Sequence, residues 1–151
     1  MPVCALDQTD MSRKNHWLLK TEPSTYSYAD LERDGKTNWN GVRNYQARNH
    51  LAQISQGDIA LIYHSGDDKA VVGIAECTKA AYPDPDPKKP GEWVQIGLKP
   101  VQALKRIVSL KEIKSTASLK TLPLIKQSRL SVMPITAEHF QTILKQGGIT
   151  K

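Results

Sequence analysis

The residue types that could do chemistry are thinly spread along this chain. His16, His50, His64 and His139 are scattered rather than clustered. His64-Ser65 with Asp58 nearby holds the parts of a Ser-His-Asp set. Neighbours on a strand point to opposite faces, however, so His64 is badly placed to activate Ser65. Lys20-Thr21-Glu22 sets an amine, a hydroxyl and a carboxylate in a row. Strand alternation sends Lys20 and Glu22 to one side and Thr21 to the other. A hydrolase using Thr21, Lys20 and a distant carboxylate such as Glu76 is the catalytic alternative. There is no glycine-rich phosphate loop, no His-rich metal motif and no nucleophile elbow. We expect no catalytic residue, no metal and no cofactor.

The aromatic residues carry more information. The chain has three Trp, five Tyr and one Phe. Phe is the aromatic that cores use freely, whereas Trp and Tyr keep a polar handle and favour interfaces. Trp39 stands in a polar stretch, Lys36-Thr-Asn-Trp-Asn-Gly41. Such a ring can stack on a base or ligand, or fold over the edge of the core, the role that composition alone favours. Trp17 and Trp93 lie in expected strands and suit core packing. Tyr63 ends an apolar strand just before His64-Ser65, where a strand opens into a pocket mouth. Ser128-Arg-Leu-Ser131 places the Arg129 cation between hydroxyls, which suits a phosphate or a carbonyl edge; a surface ion pair is the plainer role. Cys77 reads as a small buried apolar residue.

These residues must be positioned by one domain, since 151 residues fall within the usual domain length. Two cysteines exclude a disulfide framework and a multi-cysteine zinc site. No apolar run is long enough to span a bilayer, and the first fifteen residues lack the apolar core of a secretory signal. We expect a reduced, cytoplasmic, monomeric protein with no membrane partner. The net charge of +6 is lopsided. Residues 1–87 carry 9 Lys/Arg against 12 Asp/Glu, and residues 88–151 carry 12 against 3. A basic half points to an anionic partner, most often nucleic acid; a solubilising surface is the even alternative.

Residues 1–15 read as a loose polar arm and 16–151 as the folded domain. His16 to Lys20 reads as a strand ended by Pro23. Ser27 and Asp30 have capping-box spacing, with Tyr26 and Leu31 as a staple, so a short helix runs to Asp34 and Gly35 ends it. A second helical stretch begins at Gly41, with Ala47, Leu51 and Ile54 on one face. Ile59–Tyr63 is apolar throughout, a strand covered on both sides, and Ala70–Cys77 returns as its hairpin partner. Tyr82–Gly91 is a proline-rich loop. Trp93–Leu98 alternates as a half-buried strand, Val101–Val108 continues the sheet, and Leu110–Ile113 makes a helical turn. Thr136 caps a last helix, with Ala137, Phe140, Ile143 and Leu144 on its apolar face and Gly147 at its end. Hairpin-ordered strands with short helices favour an α+β domain with an antiparallel, barrel-like sheet.

The motifs also resemble a known family. Trp17-Leu-Leu-Lys-Thr-Glu-Pro23, Trp39-Asn-Gly-Val-Arg-Asn-Tyr-Gln-Ala-Arg-Asn49, Gly57-Asp58, Tyr63-His-Ser65, Val72-Gly73-Ile74, Ala81-Tyr-Pro-Asp84 and Ser128-Arg-Leu-Ser-Val132 are similar to the EVE domain, in its order, from about residue 16 to 146. The resemblance implies a PUA-like fold, a curved or closed mostly antiparallel β-barrel with helices around it, and kinship with the YTH domain. It implies a non-enzymatic reader that binds DNA or RNA and holds a flipped, modified base, a modified cytosine among them, in an aromatic pocket. Carried over, Trp39 is the cage wall and Asn40 a base-edge contact. Lys20 and Thr21 sit beside the pocket, Tyr63, His64 and Ser65 line the opposite side, and Arg129 and Ser131 form the rim. Thr21 stands where serine is common and keeps the hydroxyl. A plain RNA-binding accessory domain that uses only its basic face is a further alternative.

Overall fold

The structure is a computed structural model that describes residues 15–40, 42, 44–66, 68–84, 93–127 and 130–149. The expected arm at 1–15 therefore lies almost wholly outside the described residues, as do Gly41 and Arg129. The first strand, β1 (His16–Thr21), is followed by α1 (Tyr28–Asp34), β2 (Thr37–Trp39) and α2 (Tyr45–Gln53). Then come β3 (Ile59–His64), β4 (Ala70–Pro83), β5 (Val94–Ser109) and α3 (Leu110–Lys114). A 3-10 turn (Ala117–Leu119), α4 (Pro123–Lys126), β6 (Val132–Ile135) and α5 (Ala137–Gln146) follow.

The local signals act as their chemistry dictates. Ser27 caps α1 through a full capping box with Asp30, and Gly35 closes it at φ 77°. Thr136 caps α5 in the same way, with His139 as its partner. Gly147 ends that helix at φ −82°, and the left-handed residue is the next one, Gly148, at φ 83°. The second helix starts at Tyr45 because the Asn44 side chain accepts from Ala47 N–H and caps it there. β2, α4 and β6 were not expected; each is only three or four residues long, too short for a periodic signal.

Among the described residues six strands form one sheet in the order β2-β5-β4-β3-β1-β6. Every neighbouring pair is antiparallel except β1 and β3, which run parallel. The domain is α+β, but the sheet is not closed into a barrel: β2 and β6 remain as its two edges. Both are short, and β6 carries an exposed proline, Pro134, which has no N–H to offer a further strand. The sheet also departs from flatness, because β4 and β5 slip register at four places along their length, and bulges bend and twist the strands that carry them. Helix α2 packs on β4 and β5 and also on β6, so it spans from the inner strands to the far edge.

The proline-rich stretch does not begin where composition suggests. Tyr82 and Pro83 still pair with Gln95 and Val94 at the end of β4, an edge position where a missing donor is tolerated. The core is continuous through the sheet. All six residues of β3 are buried, as a strand covered on both sides requires. Trp17 and Trp93 are each 4% exposed; Trp17 belongs to the core cluster, whereas Trp93 lies just before β5 and stacks on the exposed Tyr45 ring at 4.9 Å. Gln95 and Gly97 are buried with Ile96 and Leu98, so β5 is not half-solvated at its start. Gln95 satisfies its amide by donating to Pro83 O at 2.8 Å.

Candidate functional site

The parallel pairing of β1 with β3 sets Lys20 beside Tyr63 and Thr21 beside His64 at one end of the sheet. Beyond Thr21 the chain turns at once, with Thr25 N–H and Tyr26 N–H both donating to Glu22 O at 2.9 Å. Lys20 N–H donates to Ser131 O at 2.9 Å, which ties the approach to β6 against β1. Trp39 ends β2 at the other edge of the sheet. Between these elements lies a cavity of about 270 Å³. Its lining comes from Lys20, Thr21 and Glu22 at the end of β1 and from Thr25 in the following turn. Trp39, Asn40 and Val42 close a second side, and Ser131 contributes from the entry to β6. The end of β1, next to the β6 edge, and the end of the β2 edge strand thus carry the two sides of the cavity.

Trp39 does two things at once. It is 92% covered, being 8% exposed, and the Tyr26 ring meets it edge-on at 6.4 Å and 84°. Tyr26 is itself held by donating its hydroxyl to Asp34 Oδ2 at 2.8 Å. The indole therefore packs over the core edge and still lines the cavity. Thr21 Oγ1 donates to Tyr26 O at 2.7 Å, which fastens the turn to β1. Burial pulls the Lys20 ammonium below its ordinary pKa, and its Nζ lies 5.6 Å from the Tyr63 ring centre. The walls offer a flat π surface, a cation, a carboxylate, an amide and hydroxyls. That set can hold a planar ring and hydrogen-bond its edge.

Of the residues expected at the site, Lys20, Thr21, Trp39, Asn40 and Ser131 are brought together in this lining. Tyr63, His64 and Ser65, expected on its opposite side, are not among these lining residues. Tyr63 is 3% exposed, and burial raises its hydroxyl pKa. His64 Nε2 accepts from Tyr28 N–H at 3.0 Å, so Nδ1 bears the ring hydrogen and donates to Asp68 Oδ2 at 3.1 Å. Ser65 donates through both N–H and Oγ to Thr21 O, at 2.9 and 3.3 Å. These three brace the strand that carries Lys20 and Thr21. Among the described lining residues the aromatic one is Trp39, so no aromatic cage is assembled from them. Glu22, Thr25 and Val42 were missed as lining residues; alternation had already put Glu22 on the same side as Lys20.

The catalytic alternatives are not assembled. The Thr21 hydroxyl donates to a backbone carbonyl. Glu76 pairs with Ile59, five residues along β3 from the partner of Thr21, roughly 16 Å away at strand rise. Glu76 instead lies 3.6 Å from Lys99. Asp58 is engaged elsewhere, accepting from Trp17 and Ser55. Among the described residues no group of His, Cys, Asp and Glu is arranged to hold a metal ion, and no helix is long and apolar enough to cross a membrane.

Comparison with known proteins agrees across sequence and structure. A family model described as EVE domain matches residues 15–146. Thymocyte nuclear protein 1 of Gallus gallus is 35% identical over 162 residues, covering 85% of this chain and 67% of that one. The crystal structure of human THYN1 protein in complex with 5-methylcytosine containing DNA superposes with a TM-score of 0.82 at 31% identity, covering 89% of this chain and 98% of that one. The YTH domain of Zygosaccharomyces rouxii MRB1 protein, solved with N6-methyladenosine RNA, shares the fold at a TM-score of 0.56 and 18% identity, over 89% and 86% of the two chains.

Proposed function

The chain belongs to the EVE domain family, and from that premise we propose that it reads a modified base in nucleic acid, without catalysis, by holding that base in the cavity beside Trp39. The observation that carries this is the lining itself: one buried indole set against Lys20, Asn40 and Ser131 in about 270 Å³. The volume lies just below the roughly 300–1,000 Å³ of sites for drug-sized ligands, which suits a single base. The human THYN1 complex with DNA containing 5-methylcytosine supports a modified cytosine in DNA as the first ligand to test.

The energetics are consistent. Extruding a base costs a few kcal/mol, and stacking with hydrogen bonds in a pocket offsets it. Base–aromatic stacking contributes about 1–3 kcal/mol. The basic half of the chain adds phosphate attraction that is indifferent to sequence and weakens with salt. An unbiased capture tests the proposal. Fragmented cellular DNA and RNA are passed over the immobilised protein and its Trp39→Ala form, and retained nucleosides are quantified by mass spectrometry. Enrichment of one modified nucleoside that depends on Trp39 is expected. Equal retention by both forms, tracking total phosphate alone, contradicts it.

A further inference from the structure

Glu22 is an odd residue to find lining a nucleic-acid pocket. The chain carries a net charge of +6, yet this wall of the cavity is a carboxylate, which repels phosphate. Building on the base-binding proposal above, we propose that Glu22 is the specificity-determining residue that selects an amino-bearing base of the cytosine type over its keto counterpart.

An ionised carboxylate can only accept, and an ammonium can only donate. Thr25, Ser131 and Asn40 can each do either, so they discriminate little between an amino and a keto group. The Thr21 hydroxyl hydrogen is committed to Tyr26 O. With that hydrogen committed, Thr21 Oγ1 and Glu22 can only accept from a ligand, whereas Lys20 and the Trp39 indole N–H can only donate; Glu22 is the acceptor that carries a charge. A cytosine offers an amino donor at C4, where thymine offers a carbonyl oxygen. Carboxylates accept from the cytosine amino group in known base contacts, while they leave a carbonyl facing a like partner with no hydrogen between. Lys20 meets the acceptors that either base carries on the same edge.

Glu22 is exposed, and its Oε1 accepts from Ser24 Oγ at 3.5 Å. The Glu22 carbonyl anchors two N–H groups of the following turn. Its side chain lies against Gly66, where an added Cβ would stand 2.8 Å from Oε2 and 2.9 Å from Oε1. Gly66 has a φ of +75°, so the turn after Tyr63-His-Ser65 is one that favours glycine, and its missing side chain leaves room for the carboxylate. Set at the cavity mouth, the same charge keeps the backbone out and admits a nucleotide base-first.

Titration of the full-length protein with three short single strands decides it. They are identical except for one central 5-methylcytosine, thymine or cytosine. Thymine carries the same methyl as 5-methylcytosine, so the first ratio isolates the amino group and the ratio to cytosine isolates the methyl. Wild type is expected to prefer 5-methylcytosine to thymine by at least about tenfold, the scale of one good base contact. Glu22→Gln, whose amide can donate to the thymine oxygen, is expected to bring that ratio to within about threefold of unity while the ratio to cytosine stays. An unchanged ratio to thymine in Glu22→Gln overturns the assignment of Glu22 alone. Equal binding of 5-methylcytosine and cytosine by wild type, unaltered by Trp39→Ala, overturns the base-binding proposal and this one with it. Thermal melting of each variant confirms that folded protein is being titrated.

Discussion

Trp17 Nε1 donates to Asp58 Oδ2 at 3.1 Å across 41 residues of sequence, inside the core. Asp58 Oδ2 also accepts from Ser55 N–H at 2.9 Å, and Asp58 O accepts from Cys77 N–H at 2.9 Å. One buried aspartate thus joins β1, the turn before β3, and β4. Removing it leaves an indole N–H and a backbone N–H without their acceptor. Asp58→Ala should lose about 1–3 kcal/mol per group stranded in this way, read as a lower denaturant midpoint at unchanged m-value. Asp58→Asn, which keeps an oxygen there, should lose less. Wild-type stability in Asp58→Ala would show that the bond contributes nothing.

Tyr28 and Gly73 make a second such pair. A Cβ on Gly73 would stand 2.7 Å from Tyr28 Cδ1 and nearer still to Cε1 and Cζ. The ring lies on the bulged part of β4 and donates its hydroxyl to Ile74 O at 2.7 Å. Burial, with Glu32 adding to it, pushes that hydroxyl up to about 12, so it stays a donor throughout the working range. Gly73→Ala should destabilise by about 1–3 kcal/mol through overpacking. Tyr28→Phe should cost about 0.5–1.5 kcal/mol for the lost hydrogen bond. Combining Gly73→Ala with Tyr28→Ala should cost less than the sum of the two singles, because the clash is then relieved. Strict additivity in the denaturant cycle would contradict the overlap.

The histidines set the pH dependence. Burial lowers the pKa of His16, His50 and His139, opposed in part by Asp58 at His16 and by Glu138 at His139. Each binds its proton more readily unfolded than folded, so the unfolded state takes up more protons as pH falls below about 6.5. Their contribution is therefore complete above pH 6.5 and is lost as pH falls from there through the depressed folded values. Asp30 and Asp34 also sit below their ordinary range, through the Ser27 backbone N–H bond and the Arg33 bond respectively, so their contribution fades only in stronger acid. Unfolding free energy should be flat from pH 8 to 7 and decline from 6.5 to 5. In His139→Gln the decline should be shallower. An identical slope in that variant would remove His139 from the account.

Much of this was legible because single residues dictate local geometry. Ser27, Thr136 and Gly35 mark helix ends through their own hydrogen bonds or backbone freedom, and Ile59–His64 is a buried strand because every side chain in it but His64 is apolar or aromatic. Lys20, Trp39 and Asn40 were singled out from residue type together with the family motifs. What was not legible is set by distant partners. The open sheet depends on how short β2 and β6 are and on Pro134 at the edge, and nothing in hairpin order announces that. Tyr63, His64 and Ser65 sit next to the cavity strand, but His64 is drawn inward by Tyr28, 36 residues away, and Ser65 by Thr21, 44 residues away. Glu22 stands two residues after Lys20 and shares its side by strand alternation, whereas Thr25 joins the lining from the turn that follows.

The most direct measurement is the affinity of wild type and of Trp39→Ala for one single strand carrying 5-methylcytosine and for its cytosine counterpart, at matched salt. Wild type should favour the methylated strand, by about 10-fold if the cavity encloses the methyl group. Trp39→Ala should bind both strands alike and more weakly, while melting as a folded protein. A folded Trp39→Ala that keeps the wild-type preference would contradict the placement of the base against Trp39.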